Sequence, residues 1–420
     1  MRNIFLKKIP RGIIYHTVGQ SFIYFLKAFY MPLKRQYSIK KLESKFAEYC
    51  QRELCVVFPF ARTAIFYLVK SLNLPKGSEV IMPAMTIKGI VDVILELELV
   101  PVYVELDPST ISFDIDDLRE KLNHRVKVAI ITPLFGLVPD IEKIVYLLKS
   151  NNTFVIEDFS QCLNGTFNGK RVGTFGDASV FSSSSIKTLD TLGGGFALTD
   201  DKLTYEYLRT AQLRLAAPSR IFLIKKAWIN LLRNLATNNP FFTFLTFPLL
   251  QLLSRVNPSA TLKQTGHRKK NKLKNLPDLW FTSFTSVQAE IGIENIKSVI
   301  VQDAERISHV EYIKTKLPNA QFPATTNKSG NVYWQLIMIV SDSQDAQKFF
   351  AKFGVDIATS SLELVSNLQS YTGYRRLLNA ENIYKNGIFI PCFPKLNETD
   401  VERIINVVGM YIERNSLDAT

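Results

Sequence analysis

The 420-residue chain holds only four cysteines, Cys50, Cys55, Cys162 and Cys392, and none stands at the paired spacing of a metal site. Reduced thiols in a cytoplasmic protein, with no bound metal, are the expectation. No stretch reaches eighteen uninterrupted apolar residues, so a membrane-spanning helix is not expected. The basic, aromatic first 36 residues lack the clean apolar core and small-residue cleavage site of a secretory signal. Residues 207–277 contain no Asp or Glu, yet they hold 13 Lys and Arg; the whole chain has 51 bases against 38 acids, so this one region matches the entire excess of +13. The first 42 residues add nine bases and no acid, offset by a mildly acidic remainder. A basic region can serve nucleic acid. No helix-turn-helix, zinc-finger or RNA-recognition pattern accompanies it, so nucleic acid is not an expected partner. No internal repeat is present.

What the chain does have is concentrated in residues 154–199. An apolar run at 153–156 ends in Glu157 and Asp158, and a second at 178–181 ends in four serines. Lys187 follows, then Gly193, Gly194 and Gly195, then a third apolar run at 196–199. In open α/β sheets ligands sit beyond the carboxyl ends of the strands. An acid, a hydroxyl cluster and a lysine would therefore meet at one rim. Taken singly, each has an ordinary reading as a turn former, a loop or a solvated side chain. Together they suit a phosphorylated pyridine aldehyde. The amine condenses with the aldehyde, the carboxylate keeps the ring nitrogen protonated, and hydroxyls with backbone N–H groups take the phosphate.

These residues resemble the DegT/StrS family of pyridoxal-phosphate-dependent nucleotide-sugar aminotransferases. The resemblance rests on Asp158 after Glu157, Gln161, the glycines and acid at 173–177, Phe181-Ser182, Lys187 and the glycines at 193–195. It implies an aspartate-aminotransferase-like (fold type I) α/β large domain with a mainly parallel sheet, and a smaller α+β C-terminal domain. It implies Lys187 as the catalytic amine, Asp158 on the pyridinium and Gln161 near the ring's phenolic oxygen. Ser182 and Thr63 would hold the phosphate of pyridoxal 5'-phosphate, helped by the backbone at Arg62. Glutamate would donate the amine to a nucleotide-linked keto sugar, for surface polysaccharide or other glycan synthesis, in a homodimer. A sugar dehydratase of the same family is the less favoured reading, because such members replace the lysine that Lys187 supplies. A non-catalytic scaffold on the same fold is the other.

The alternation of strand and helix from Val56 to Thr199 argues a mainly parallel sheet with right-handed crossovers. The divisions expected are a basic aromatic arm at 1–36, a cofactor-binding domain at 37–220, a basic hydrophobic insertion at 221–278 and a small domain at 279–420. Thr63 reads either as a helix N-cap or as a phosphate ligand. Three departures from the family stand out. Arg62 replaces a glycine that many members carry, Ile87 stands where an aromatic usually stacks on the ring, and Phe281-Thr282-Ser283 replaces an Asn-Tyr-Arg that reaches a neighbouring site. The insertion and the arm have no counterpart in the resemblance. Their Phe, Leu and Ile content beside unopposed bases suits peripheral contact with an anionic membrane at the inner face, while packing on the catalytic domain or on a partner subunit suits them equally.

Overall fold

A computed structural model describes residues 7–257, 261, 275–368 and 376–417. The helices in chain order are α1 Val18–Tyr30, α2 Gln36–Cys50, α3 Ala61–Ser71, α4 Lys88–Glu96, α5 Ile115–Lys121, α6 Ile141–Ser150, α7 Lys202–Leu213, α8 Arg220–Thr237 and α9 Phe247–Val256. They continue with α10 Ser286–Asn295, α11 Val299–Lys316, α12 Ser343–Lys352, α13 Leu378–Asn386 and α14 Glu398–Leu417. The large sheet is built from β1 Leu54–Phe58, β2 Glu79–Pro83, β3 Val100–Val104, β4 Val126–Ile131, β5 Phe154–Asp158, β6 Ala178–Ser182 and β7 Gly195–Thr199. The strand order is β1-β7-β6-β5-β4-β2-β3. β7 runs antiparallel to both β1 and β6, and the other pairs are parallel. This is the expected sheet, and both its faces are covered. Near-continuous Val, Ile, Ala and Phe in β4 to β7 are what a strand buried on both faces requires.

The C-terminal unit carries a small antiparallel sheet of β8 Leu336–Ile339, β9 Ala358–Thr359 and β10 Gly387–Ile390, with β10 in the middle. Its apolar residues, Phe350, Ile388, Phe389 and Ile404 among them, merge with one face of the large sheet into a single core.

The basic arm is tied down along its described length. Ile9 adds a bridge to Val355, and Arg11 makes a bidentate pair with Asp356 at 2.7 Å. α1 then packs on α8 through Tyr24, Ala28, Leu223 and Ala227, joined by Leu192 from the glycine loop and by Val287 and Ile291 of α10. Arg220, at the start of α8, donates to the carbonyls of Ala28, Phe29 and Met31 at 2.8–3.0 Å. It thereby satisfies the open C-terminal end of α1. The insertion is thus packed on the catalytic domain through α8. The apolar stretch around Pro248 is helical from Phe241 to Val256. Residues 242–246 form a wider turn that runs into α9, whose first turn holds the proline. The basic run from Arg268 to Lys274 lies outside the described residues.

Candidate active site

Strand alternation sends the two acids that end β5 to opposite faces of the sheet. Glu157 is fully buried and accepts the N–H groups of Gly173, Phe175 and Gly176, all at 2.6 Å. It fixes the turn before β6. Asp158 faces the other way, into a cavity of about 370 Å³ at the carboxyl rim. Its carboxylate accepts the N–H of Ser160 at 3.1 Å, and Ser160 Oγ accepts the N–H of Ser182 at 2.9 Å. Burial pushes the Asp158 carboxyl above the usual range, against the pull of the Ser160 hydrogen bonds and of Lys187. A cation opposite it would keep it ionised.

Lys187 sits in the loop between β6 and β7 and is 9 % exposed. The loop is cross-braced: Ser183 accepts from the N–H of Thr191 and of Gly193 at 3.1 and 3.2 Å, and donates to Gly194 at 3.0 Å. Gly193 has φ +95°, a conformation that disfavours any other residue. A Cβ on Gly195 would lie 2.2 Å from the backbone carbon of Phe60, so only glycine lets β7 press against the N-terminus of α3. The Nζ of Lys187 lies 3.7 Å from the centroid of Trp334, whose indole N–H donates to the carbonyl of Ile186 at 3.1 Å.

Gln161 also lines the cavity, and its side-chain oxygen accepts the N–H of Phe135 at 2.7 Å. Phe135 has φ 59°, a strained value for a bulky residue, and this bond helps to hold it there. Ser182, Arg62, Ile87 and Phe135 line the same cavity. Ile87 is therefore at the rim where the usual aromatic would be, as the N-cap residue of α4. Thr63 is placed differently from the other predicted residues. It is neither the N-cap, which is Phe60, nor part of the cavity lining. It is 1 % exposed, and its hydroxyl donates to the carbonyl of Trp280 at 2.7 Å. The Arg62 guanidinium stacks on Trp280 and Phe60 at 4.5 and 5.1 Å. Thr282, in the segment replacing Asn-Tyr-Arg, bonds its own turn at the carbonyl of Leu279.

Sequence reasoning missed Trp334, Lys226, Ile229 and Arg233. Nothing around Trp334 marks it in sequence: it enters from the C-terminal unit, beside the close approach of its backbone to Gly136. The other three did leave a signal. Lys226, Ile229 and Arg233 recur at i, i+3 and i+7, one face of α8. Lys226 Nζ lies 4.8 Å from the rings of Phe60 and Phe222. Burial pushes its pKa down to about 8, against the pull of Asp190 and with the repulsion of Arg62.

The donor set fits pyridoxal phosphate. A buried primary amine, a buried carboxylate in need of a cation, serines at the end of β6 and the N-terminal turn of α3 open on one cavity.

The sequence profile of the DegT/DnrJ/EryC1/StrS aminotransferase family matches residues 33–220 and 260–409. The chain belongs to this family, whose cofactor is pyridoxal phosphate. The GDP-perosamine synthase of Escherichia coli O157:H7 is 35% identical over 168 residues, 40% of this chain and 46% of that protein. Against that relative and the corresponding enzyme of Vibrio cholerae, the match spans slightly under half of their length. The dTDP-3-amino-3,6-dideoxy-alpha-D-galactopyranose transaminase of Aneurinibacillus thermoaerophilus is 25% identical over 381 residues, 89% of this chain and 90% of that one. Among solved structures, a sugar aminotransferase from Micromonospora echinospora superimposes with a TM-score of 0.71 at 17% identity, covering 96% of this chain and 99% of that chain. A GDP-4-keto-6-deoxymannose-3-dehydratase does so with a TM-score of 0.70 at 19% identity, covering 95% and 100%. These two likenesses concern the fold.

Proposed function

We propose that the protein transfers an amino group from an amino acid, glutamate, to the keto carbon of a nucleotide-linked sugar destined for a surface polysaccharide or another glycan. The observation that carries this reading is the convergence of Lys187, Asp158 and Gln161 on one cavity at the strand ends. The transaminase and synthase names of relatives within the same family support the substrate class. The bound cofactor supplies the electron sink for breaking the donor's C–H bond. Asp158 keeps the proton on the ring nitrogen by offering a buried negative charge. Lys187 is the base that removes the proton from the donor carbon and later returns one to the carbon that becomes the amine-bearing centre. Ser182 and the first turn of α3 hold the phosphate, and Thr63 braces that turn against Trp280. Purified protein mixed with pyridoxal phosphate and glutamate should show the spectral change of amine transfer, and a panel of nucleotide keto sugars should then identify the acceptor. Lys187→Ala should lose both. A wild-type protein that takes up no pyridoxal phosphate, or leaves it unchanged with glutamate, would sink the reading.

The working form we propose is a homodimer with its sites near the interface, and light scattering that finds a fully active monomer would overturn it. We also propose that the protein rests on an anionic membrane from the cytoplasmic side. The supporting observation is apolar exposure beside unopposed bases. Phe22 and Phe29 of α1, Phe244, and Leu249, Leu252 and Val256 around α9 are all open to solvent. No described helix is long and apolar enough to cross a membrane. Each base near an anionic surface contributes about 1 kcal/mol. Co-sedimentation with anionic vesicles at low salt, lost at high salt and on deleting residues 221–275, is the expected result. A chain that stays in the supernatant would assign these faces to a protein interface.

A further inference from the structure

The cavity around Lys187 has unbalanced charge. Four basic residues line it, Arg62, Lys187, Lys226 and Arg233, and one acid, Asp158. Two of the four come from α8 of the insertion. Lys226 is partly buried in the wall. A Cβ built on Gly193 would meet its Nζ at 2.7 Å, and the ring of Phe60, which precedes the first turn of α3, lies 4.8 Å away. The ammonium therefore stands between the glycine loop that follows Lys187 and the amino end of α3. Among the described residues it makes no hydrogen bond or ion pair. The carboxylate that attracts it, Asp190, is already bonded to the side-chain amide of Asn230 at 2.6 Å and the N–H of Leu192 at 2.7 Å. Desolvating a cation without a bonded partner is costly. Aligned N–H groups and a positive helix end beside it favour an anion at the same point.

Its position is not an accident of a loose side chain. α8 is locked in place by a buried polar seam. Asn230 contacts His16 at 3.0 Å and Ser21 at 3.2 Å, and Asn234 donates to the carbonyl of His16 and to Ser21 Oγ at 2.9 and 2.8 Å. The seam joins the arm, the insertion and the Lys187 loop, so the arm and α8 are parts of the active site's construction.

We propose that Lys226, carried on the insertion helix, is a phosphate-binding residue of the active site. The inference rests on the reading of this cavity as the pyridoxal phosphate site. Two phosphates qualify, that of the cofactor and those of the nucleotide sugar. Lys226→Met keeps the length of the side chain and removes the charge, and the readouts are equilibrium binding of pyridoxal phosphate, of pyridoxal without its phosphate, and of GDP as a nucleoside diphosphate, together with the melting temperature of the ligand-free protein. If the cofactor's phosphate is the ligand, K226M binds pyridoxal phosphate at least tenfold more weakly and pyridoxal unchanged. If the substrate's phosphates are the ligand, only GDP binding falls. In both cases the ligand-free variant melts no lower than wild type, and Lys226→Arg recovers part of the affinity. Equal binding of all three ligands by K226M, or equal weakening of pyridoxal phosphate and pyridoxal, overturns the assignment and leaves Lys226 as packing. A wild-type protein that binds no pyridoxal phosphate overturns both the cofactor reading and this one.

Discussion

The two walls of the cavity handle buried charge in different ways. On the strand wall the chain itself bonds each buried acid. Asp158, which faces the cavity, has Ser160 and the nearby Lys187, and Glu157 behind it on the far face of the sheet has three backbone donors. On the helix wall Lys226 is partly buried against aromatic rings with its carboxylate neighbour already bonded elsewhere. A wall whose charges are internally bonded holds its own shape, and a wall with an unsatisfied cation awaits an anion. The first is organised by short-range motif, the second by a helix delivered from more than thirty residues further along the chain.

The largest effect should come from Asp158→Asn, which keeps the shape of the strand wall and removes its reactive charge. Amine transfer from glutamate should fall by about 10²–10³-fold, the scale seen when one preorganised electrostatic group is lost, with the melting temperature close to wild type. Near-normal turnover would make Asp158 a turn residue. Next comes Glu157→Gln on the far face of the same strand. An amide NH₂ would be pressed against backbone donors, so stability should drop by about 2–3 kcal/mol, read from urea unfolding, while glutamate turnover per folded molecule stays the same.

The helix wall makes the opposite prediction. Burial holds the Lys226 pKa near 8, below the ordinary 10.5, so the folded state disfavours the charged form. Between these values the unfolded chain binds more protons than the folded one, and stability contributed at this site rises with pH across that window. Ligand-free Lys226→Met should therefore be the more stable protein at pH 7 and lose that advantage by pH 10. Asp190, Arg62 and His16 face the same region and are common to both proteins, so the difference between their unfolding midpoints isolates Lys226. A difference that does not change with pH would show an ammonium already well solvated. The smallest effect should be that of Thr63→Val, which removes a hydrogen bond to Trp280 and costs about 1 kcal/mol. Pyridoxal phosphate affinity should stay within a few-fold. A loss as large as that expected for Lys226→Met would return Thr63 to the phosphate-ligand role that its sequence context suggests.

The strand wall was legible from residues alone because its chemistry is local. Asp158 and Ser182 end β5 and β6 and Lys187 stands five residues past β6, so period-2 alternation at a strand end determines where the first two side chains emerge. The resemblance to the aminotransferase family, the α/β class and the C-terminal α+β unit followed from the same short-range order. Thr63 shows the limit of local reading. A threonine in a first helical turn is an apt phosphate ligand, yet the segment at 277–282 folds beside it and takes its hydroxyl. Arg62, drawn into a stack between Phe60 and Trp280, depends on the same long-range contact.

By itself the sequence determined the sheet, its rim and the amine–carboxylate pair, because these depend on hydrophobic periodicity and on what stands at a strand end or in the few residues after it. Only the tertiary structure decided which long-range groups close the cavity. Trp334 arrives over Lys187 because Gly136 lets its backbone approach, and Lys226 and Arg233 arrive because a seam of Asn230, Asn234, His16 and Ser21 fixes α8 against the arm. In sequence the same bases suit contact with an anionic membrane and packing on the catalytic domain or a partner subunit equally. Their place in the cavity wall follows from which helix covers which loop, a choice made by packing partners 218 residues apart.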